Sequence, residues 1–465
     1  MINKKEFNFR TILSISLISA MGGLLFGYDW VVIGGAEPFY KIFFDIADSP
    51  RLQGLAMGSA LPGCLVGAIL AGFLSELVGR KKSLLIASLL FTMSAIGVGY
   101  SGSLGVFIIF RLIGGFGIGI ASVVSPIYIA EVTPGEYRGR FVSLNQLTIV
   151  IGILAAQLMN FLIAEKVPEG ASDEFIRNSW NGQMGWRWMF WVMTVPSTVF
   201  FVLALVLPES PRWLTKKNEP EKALKILSRI GGAGWAVEQL AGIRQTFDNN
   251  GDEKVNLRAL LSRNVFPVIV LGIVLAIFQQ WCGINIIFNY AADIFRSAGF
   301  SVSDALFNIV ITGTFNLVFT FVAMATVDRL GRRKLMIIGS AGLAVIYILL
   351  GGSFYYHYSG IVTLVLILTG ISVYAMTLAP VTWVILSEIF PNKVRGAAMA
   401  VATSFLWIAS FIIVYTYPML KRAFDAHGTF CIYALICVAG CIFICKKLPE
   451  TKGKTLEELE TELLK

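Results

Sequence analysis

Twelve apolar stretches run along the chain, approximately residues 11–36, 52–75, 83–101, 104–130, 140–164, 187–207, 264–295, 302–327, 334–355, 361–387, 395–420 and 428–446, divided mostly by short polar segments. Each is close to the roughly 20 helical residues that cross a hydrocarbon core of ~30 Å. The pattern predicts an all-α membrane protein of twelve transmembrane helices. One polar interval, 208–262, is long. Within it Glu219–Arg229 and Trp235–Phe247 keep helical periodicity on either side of Gly231 and Gly232, which predicts short soluble helices joining two groups of six spans. The expected divisions are an N-terminal bundle at 1–207, a linker at 208–262, a C-terminal bundle at 263–447 and a tail at 448–465.

Composition supports this reading: the 465 residues are 56% hydrophobic and 14% charged, more apolar surface than a soluble fold hides from water. Charge then supplies orientation. About 29 of the 38 Lys and Arg residues fall on the side that carries both termini, so the positive-inside bias puts both termini in the cytoplasm and the chain in a cell inner membrane. The net charge of +9 is thereby accounted for, without nucleic acid. The first stretch lacks a small-residue cleavage site and reads as a retained helix. Cys64, Cys282, Cys431, Cys437, Cys441 and Cys445 read as small apolar fillers. Cys441 and Cys445 share a helix face but have no His or carboxylate with them, so neither metal nor cofactor is expected. His357 and His427 read as exposed or capping residues at external helix ends.

The two halves repeat. Glu76, Gly79 and Arg80 after span two match Asp328, Gly331 and Arg332 after span eight. Glu131 precedes Arg138 by the same spacing as Glu388 precedes Arg395, and the Pro208-Glu209 turn after span six matches Pro449-Glu450 after span twelve. Three such pairs in one order mark a duplicated six-helix unit. Parallel repeats of this kind place a substrate between the halves at mid-membrane. Acids and bases at the helix ends (Glu76, Arg80, Glu131, Arg138, Arg140, Glu209, Arg212, Asp328, Arg332, Glu388, Arg395, Glu450) read as gating charges that pair when that side closes. The small-residue rows Gly54/Gly58, Gly63/Gly67 and Gly115/Gly119 read as close helix contacts.

These motifs, with Gly27-Tyr28-Asp29, Pro126, Gln279-Gln280, Gly283, Asn285, Trp383 and Pro208 to Arg212, resemble the sugar porter family of the major facilitator superfamily over essentially the whole chain. Within the family the pattern is nearest to bacterial xylose–proton symporters, with facilitative glucose transporters more distant. The resemblance implies two pseudo-symmetric six-helix bundles and proton-coupled import of a monosaccharide, a pentose or a hexose, by alternating access. It makes Asp29 the protonation site and Arg111 its partner, where facilitators carry Asn. Burial works against a charged carboxylate and a guanidinium works for it, so motion between the two residues would bind and release a proton. Sugar-binding positions by resemblance are Gln146, Gln279, Gln280, Asn285, Asn316 and Trp383, with Trp407, Phe26 and Asn289 beside them. Amides suit hydroxyls because each offers donors and acceptors, and Gly283 would free backbone groups for the cavity. The chain departs from the xylose symporters at Leu406 and Ile153, where they have Gln, at Ala379, where they have Gly, and at Asn289, where they have Tyr.

The competing readings are a uniporter, which Asp29 opposes, a sugar sensor, which the short tail opposes, and an exporter of drugs or organic ions, which the neutral amides oppose. No nucleophile–base set or phosphate loop supports an enzyme. The Gly-rich run from Gly114 to Gly119 lies inside an apolar span with no strand before it. The expected partners are a sugar, a proton and membrane lipid, with the chain acting as a monomer.

Overall fold

The computed structural model describes residues 7–250, 260–358, 360–391, 394–452 and 456–463. The side chain of Asp328 and the segment 453–455 lie outside the described residues.

Spans follow one another with short reversals. α1 (Phe9–Phe43) begins where the Asn8 side chain accepts from Thr11 N. α2 (Pro50–Gly58) and α3 (Ala60–Val78) make the second span, α4 (Arg80–Tyr100) the third, α5 (Leu104–Val132) the fourth and α6 (Arg138–Ile163) the fifth. The short α7 (Asp173–Asn178) leads to a π-helical turn at Asn181–Gly185, then α8 (Trp186–Trp191) and α9 (Thr194–Val206), which complete the sixth. α10 (Pro211–Lys216) and α11 (Pro220–Asn250) occupy the interval between the halves. α11 leaves helical geometry at Gly231 and Gly232, the expected break.

In the second half, α12 (Phe266–Trp281), α13 (Ile284–Asn289) and α14 (Ala291–Ser297) form a broken seventh span. Gly283 sits there at φ 86°, a left-handed backbone that glycine adopts without a Cβ clash. α15 (Val302–Leu330) and α16 (Arg332–Tyr355) follow. The tenth span divides into α17 (Gly360–Met376) and α18 (Leu378–Ile389). Pro380 has no N–H for the carbonyl four residues earlier, which accounts for the interruption at Thr377. α19 (Arg395–Lys447) and α20 (Leu456–Leu463) complete the chain of helices.

Among the described residues eleven helices are long and apolar enough to cross a membrane, where the hydrophobic pattern predicts twelve. The difference lies in α19, whose 53 residues include both final stretches and turn at Asp425, φ 55°. Two crossings share one helical run, so the count of spans is twelve.

Lipid gives apolar helices no reason to prefer one another, so shape decides their packing. The carbonyls of Leu112 and Phe116 on α5 occupy the places where Cβ atoms of Gly63 and Gly67 would stand. The carbonyls of Ala60 and Cys64 on α3 do the same to Gly115 and Gly119. The two helices are thus notched into each other. Gly54 serves the other half, against the Tyr415 carbonyl of α19.

The first and last described helices, α1 and α20, begin and end on one face, here the terminal face, and the opposite one is the far face. Among the described residues, the hydrogen bonds and ring contacts joining the halves run from mid-membrane to the far face. Arg422 donates to Asp48 O at 3.2 Å, Val167 N to Ser303 Oγ at 3.1 Å, and the Phe161 and Phe307 rings lie 5.6 Å apart. Among the described residues no hydrogen bond, ion pair or ring contact joins the halves at the terminal face itself.

Candidate transport site

Asp29 and Arg111 are both buried at mid-membrane, 0% and 2% exposed. Arg111 Nη1 donates to Asp29 Oδ1 at 2.7 Å and to the Asp29 carbonyl at 3.3 Å. The Arg111 guanidinium also lies 5.7 Å from the Phe190 ring centre. Such charges persist out of water only as a pair. Among the described residues Asp29 Oδ2 has no hydrogen-bond partner, so a proton can settle there without displacing the Nη1 bond. Gly27 brings α1 against the Ile149 carbonyl of α6, which seats this turn of α1 deep in the bundle.

The expected sugar amides split into two groups. Gln279, Gln280 and Asn285 form one hydrogen-bonded chain around the break before α13. Gln279 Nε2 donates to Tyr374 Oη at 2.7 Å, Gln280 Nε2 to Gln279 Oε1 at 2.5 Å, and Asn285 Nδ2 to Gln280 Oε1 at 2.5 Å. Asn289 Nδ2 continues it to the Asn285 carbonyl at 2.9 Å. Among the described residues no hydrogen bond joins Gln146, Asn316 or Trp383 to this chain. Gln146 is half-buried on α6 and Asn316 is buried on α15. Trp383 is 39% exposed, on the face of α18 that also carries exposed Ser387. Phe26 of α1 and Trp407 of α19 meet across the halves with ring centres 6.1 Å apart. Leu406 is buried, so the departure there changes packing beside Trp407.

Three residues escaped the sequence reading. Tyr374, the terminus of the amide chain, is the one tyrosine of its span. Trp30 lies four residues after Phe26, and that helical spacing was the available signal. Gln157, fully buried, fills the notch left by Gly313 of the other half, and among the described residues both its polar side-chain atoms lack partners. Nothing in the one-dimensional pattern joins residues so far apart.

The charges at the terminal face form two matching clusters, each inside one half. In the first, Arg80 donates through Nε and Nη2 to the two Glu131 oxygens, both at 2.9 Å, and to Glu76 at 2.8 Å. Ser210 Oγ donates to Glu131 at 2.6 Å, and Glu209 accepts from the backbone N–H groups of Arg80 at 2.8 Å and Lys81 at 3.2 Å. In the second, Arg332 Nη2 reaches Glu388 at 3.4 Å, and Glu450 accepts from Arg332 N at 2.9 Å and from Thr451 N and Lys452 N at 3.1 Å. Burial pushes the Glu450 carboxyl up, but backbone N–H groups of Lys452, Arg332, Arg333 and Thr451 outweigh it and hold the group below its ordinary value. Arg138 and Arg395 donate to the carbonyls of Ala130 and Phe390, at 3.0 and 3.2 Å, and not to the acids seven residues before them. Arg140 and Arg212 are exposed.

Twelve spans in two repeated halves, around a buried ion pair and a mid-membrane amide chain, define a membrane transporter of the major facilitator fold and not an enzyme. The chain belongs to the family described as sugar (and other) transporters, whose model matches residues 15–463. It is 39% identical to the D-xylose-proton symporter of Escherichia coli, with 98% of this chain and 96% of that one covered. It is 40% identical to the arabinose-proton symporter of Bacillus subtilis, covering 97% and 94%. A solved inward-open form of the xylose transporter XylE from E. coli superposes with a TM-score of 0.85 at 37% identity, over 97% of this chain and 99% of that one. The form of that proton:xylose symporter bound to 6-bromo-6-deoxy-D-glucose gives 0.79 at 38% identity, over 98% and 100%.

Proposed function

We propose that this protein is a proton-coupled symporter that imports a monosaccharide, D-xylose or a closely similar pentose or hexose, by alternating access across the cell inner membrane. The observation that carries the proposal is the buried Asp29–Arg111 pair with its open Oδ2. The coupling named for both pentose relatives agrees with it. Sugar binds in the cavity between the halves. Gln279, Gln280, Asn285 and Asn289 supply donors and acceptors there, Gln146 and Asn316 face it from α6 and α15, and Phe26, Trp383 and Trp407 supply apolar surfaces. Residues 1–207 and 263–447 rock as two bodies, 208–262 links them, and 448–465 is the tail.

The terminal face is the cytoplasmic one, which the excess of Lys and Arg on that side supports. The cavity then opens inward, in keeping with the better fit to an inward-open relative. Proton occupancy of Asp29 Oδ2 weakens the pull of Arg111 and lets the loaded carrier turn. Loss of the proton to the cytoplasm restores the pair after the sugar has left. The charge clusters hold the helix ends of each half in register, and the protein works as a monomer in lipid.

Uptake of labelled D-xylose into energised vesicles, with glucose and arabinose as competitors, tests the proposal. Accumulation that collapses with a protonophore is expected. Equilibration that ignores the protonophore would make the protein a facilitator and leave Asp29 a structural partner of Arg111.

A further inference from the structure

The middle of α4 carries a hydroxyl that is not used where it stands. Ser83, Ser88 and Thr92 of that helix donate to carbonyls about one turn earlier, at 2.7, 2.8 and 3.0 Å, the usual way a helical hydroxyl is satisfied. Ser94 makes no such bond. It is 1% exposed, and among the described residues its Oγ has no hydrogen-bond partner. It faces α5 at Gly114, where a Cβ would stand 2.4 Å from Ser94 Oγ and 3.8 Å from Asp29 Oδ2. The missing methyl leaves one notch, lined by the two open oxygens.

The other groups around the pair are poorly suited to receive a proton's hydrogen bond. Arg111 Nε is also buried and open among the described residues, but it carries a hydrogen and accepts none. The Tyr28 hydroxyl is committed to the Met189 carbonyl at 3.1 Å. Cys64 of α3 faces both Asp29 and Arg111, and a thiol accepts weakly. Tyr40, further along α1, faces Arg111 and Glu37. α9 has no titratable side chain, and the charges of α4, α6 and α8 (Arg80, Lys81, Lys82, Arg138, Arg140 and Arg187) stand in their first turns, away from Ser94.

We infer that Ser94 Oγ accepts the hydrogen bond of protonated Asp29 and so holds the coupling proton in place; this rests on the proton-symport reading above. With Asp29 charged, Arg111 satisfies Oδ1 and the Ser94 hydroxyl gives the carboxylate nothing. When a proton from solution binds a lone pair of Oδ2, the new O–H is a donor shut away from water. Leaving it unmet costs about as much as a lost hydrogen bond. A turn of the Ser94 or Asp29 side chain across the Gly114 notch brings the two oxygens together. The proton stays on Oδ2, Ser94 keeps its own hydrogen, and only a lone pair is lent. Because this bond belongs to the protonated state alone, it strengthens proton binding and leaves sugar binding untouched.

The test is the pH dependence of D-xylose counterflow in de-energised proteoliposomes, on the wild type, Ser94→Ala, Gly114→Ala and the double variant. Wild-type exchange is expected to fall on the alkaline side as Asp29 loses its proton. Ser94→Ala is expected to bind the proton about three- to tenfold more weakly. That moves the fall toward acid by about half to one pH unit and leaves the half-saturating xylose concentration in acid unchanged. Gly114→Ala sets a methyl against the hydroxyl and is expected to move the fall the same way, with no further shift in the double variant. A Ser94→Ala fall that coincides with wild type, or moves toward alkali, overturns the inference. Should either alanine variant give no active protein, Ser94→Cys decides: its weakly accepting thiol should shift the fall toward acid, and no shift overturns the inference. Wild-type exchange that is insensitive to pH removes the proton-coupling reading itself, a result distinct from pH-dependent exchange that is indifferent to Ser94.

Discussion

Replacing Asp29 with Asn exchanges one carboxylate oxygen for an amide NH2 and leaves the outline of the side chain unchanged. The amide oxygen still accepts from Arg111 Nη1, now 2.7 Å from Oδ1, but nothing at this position carries a proton through the cycle. Removing one member of a buried pair costs ~3–5 kcal/mol, and the retained hydrogen bond sets the expected loss at the low end. The carrier should fold, bind sugar and exchange it. The lost quantity is the driving force. One charge moving through 100 mV is worth ~2.3 kcal/mol, and at ~1.4 kcal/mol per factor of ten this sustains roughly 50-fold accumulation. The assay measures uphill uptake in energised vesicles beside counterflow in de-energised ones. Asp29→Asn is expected to reduce accumulation to about unity and to keep counterflow within a few-fold of wild type. Full, protonophore-sensitive accumulation by Asp29→Asn would refute the assignment, and loss of both activities would make the residue structural.

Other substitutions test other parts of the architecture. Gly54→Leu places a side chain where the Tyr415 carbonyl stands, so the far face cannot close; uptake should fall by an order of magnitude or more while equilibrium sugar binding persists. Glu131→Gln removes the two-point bond from Arg80 and should cost about 1–3 kcal/mol, read as a lower unfolding temperature in detergent. Glu388→Gln should cost less, because its partner stands 3.4 Å away in a wetter setting; equal effects would contradict the reading of the two clusters. The Glu450 carboxyl is held below its ordinary value in the folded chain, so the stability it contributes is present above the unfolded value and lost as pH falls through the folded one. Glu450→Gln should therefore be less stable than wild type at pH 7, with the difference vanishing in acid; a gap that persists at pH 3 would count against this.

The span pattern was legible because lipid imposes it: an uninterrupted apolar run has one solution in a bilayer. The eleventh and twelfth spans also read correctly from hydropathy, although Asp425 lets one helical run pass through both. The breaks at Gly283 and Gly232 were visible because glycine announces a backbone that other residues avoid. What could not be read was pairing at a distance. The spacing of Glu131 and Arg138 looks like a local pair, yet the acid turns to Arg80, 51 residues earlier, and the base to a carbonyl. At the site, neighbouring amides in the sequence proved neighbours in space. The cross-half meetings of Trp30 with Trp407, and of Gln157 with Gly313, depend on how two bundles dock, which no local pattern encodes.

The carboxylate of Glu209 has a consequence in time. It accepts from the first N–H groups of a helix that begins 129 residues earlier in the chain. During synthesis that helix emerges with those groups unanswered. At about 5–20 residues per second its clasp arrives on the order of ten seconds later. Glu450 repeats the arrangement across 118 residues. Each bundle is thus fastened by its own last turn, and until that turn is made its third helix has no finished beginning. The unit that the cell completes is the half, twice over, and a ribosome that stalls within either half leaves that clasp open.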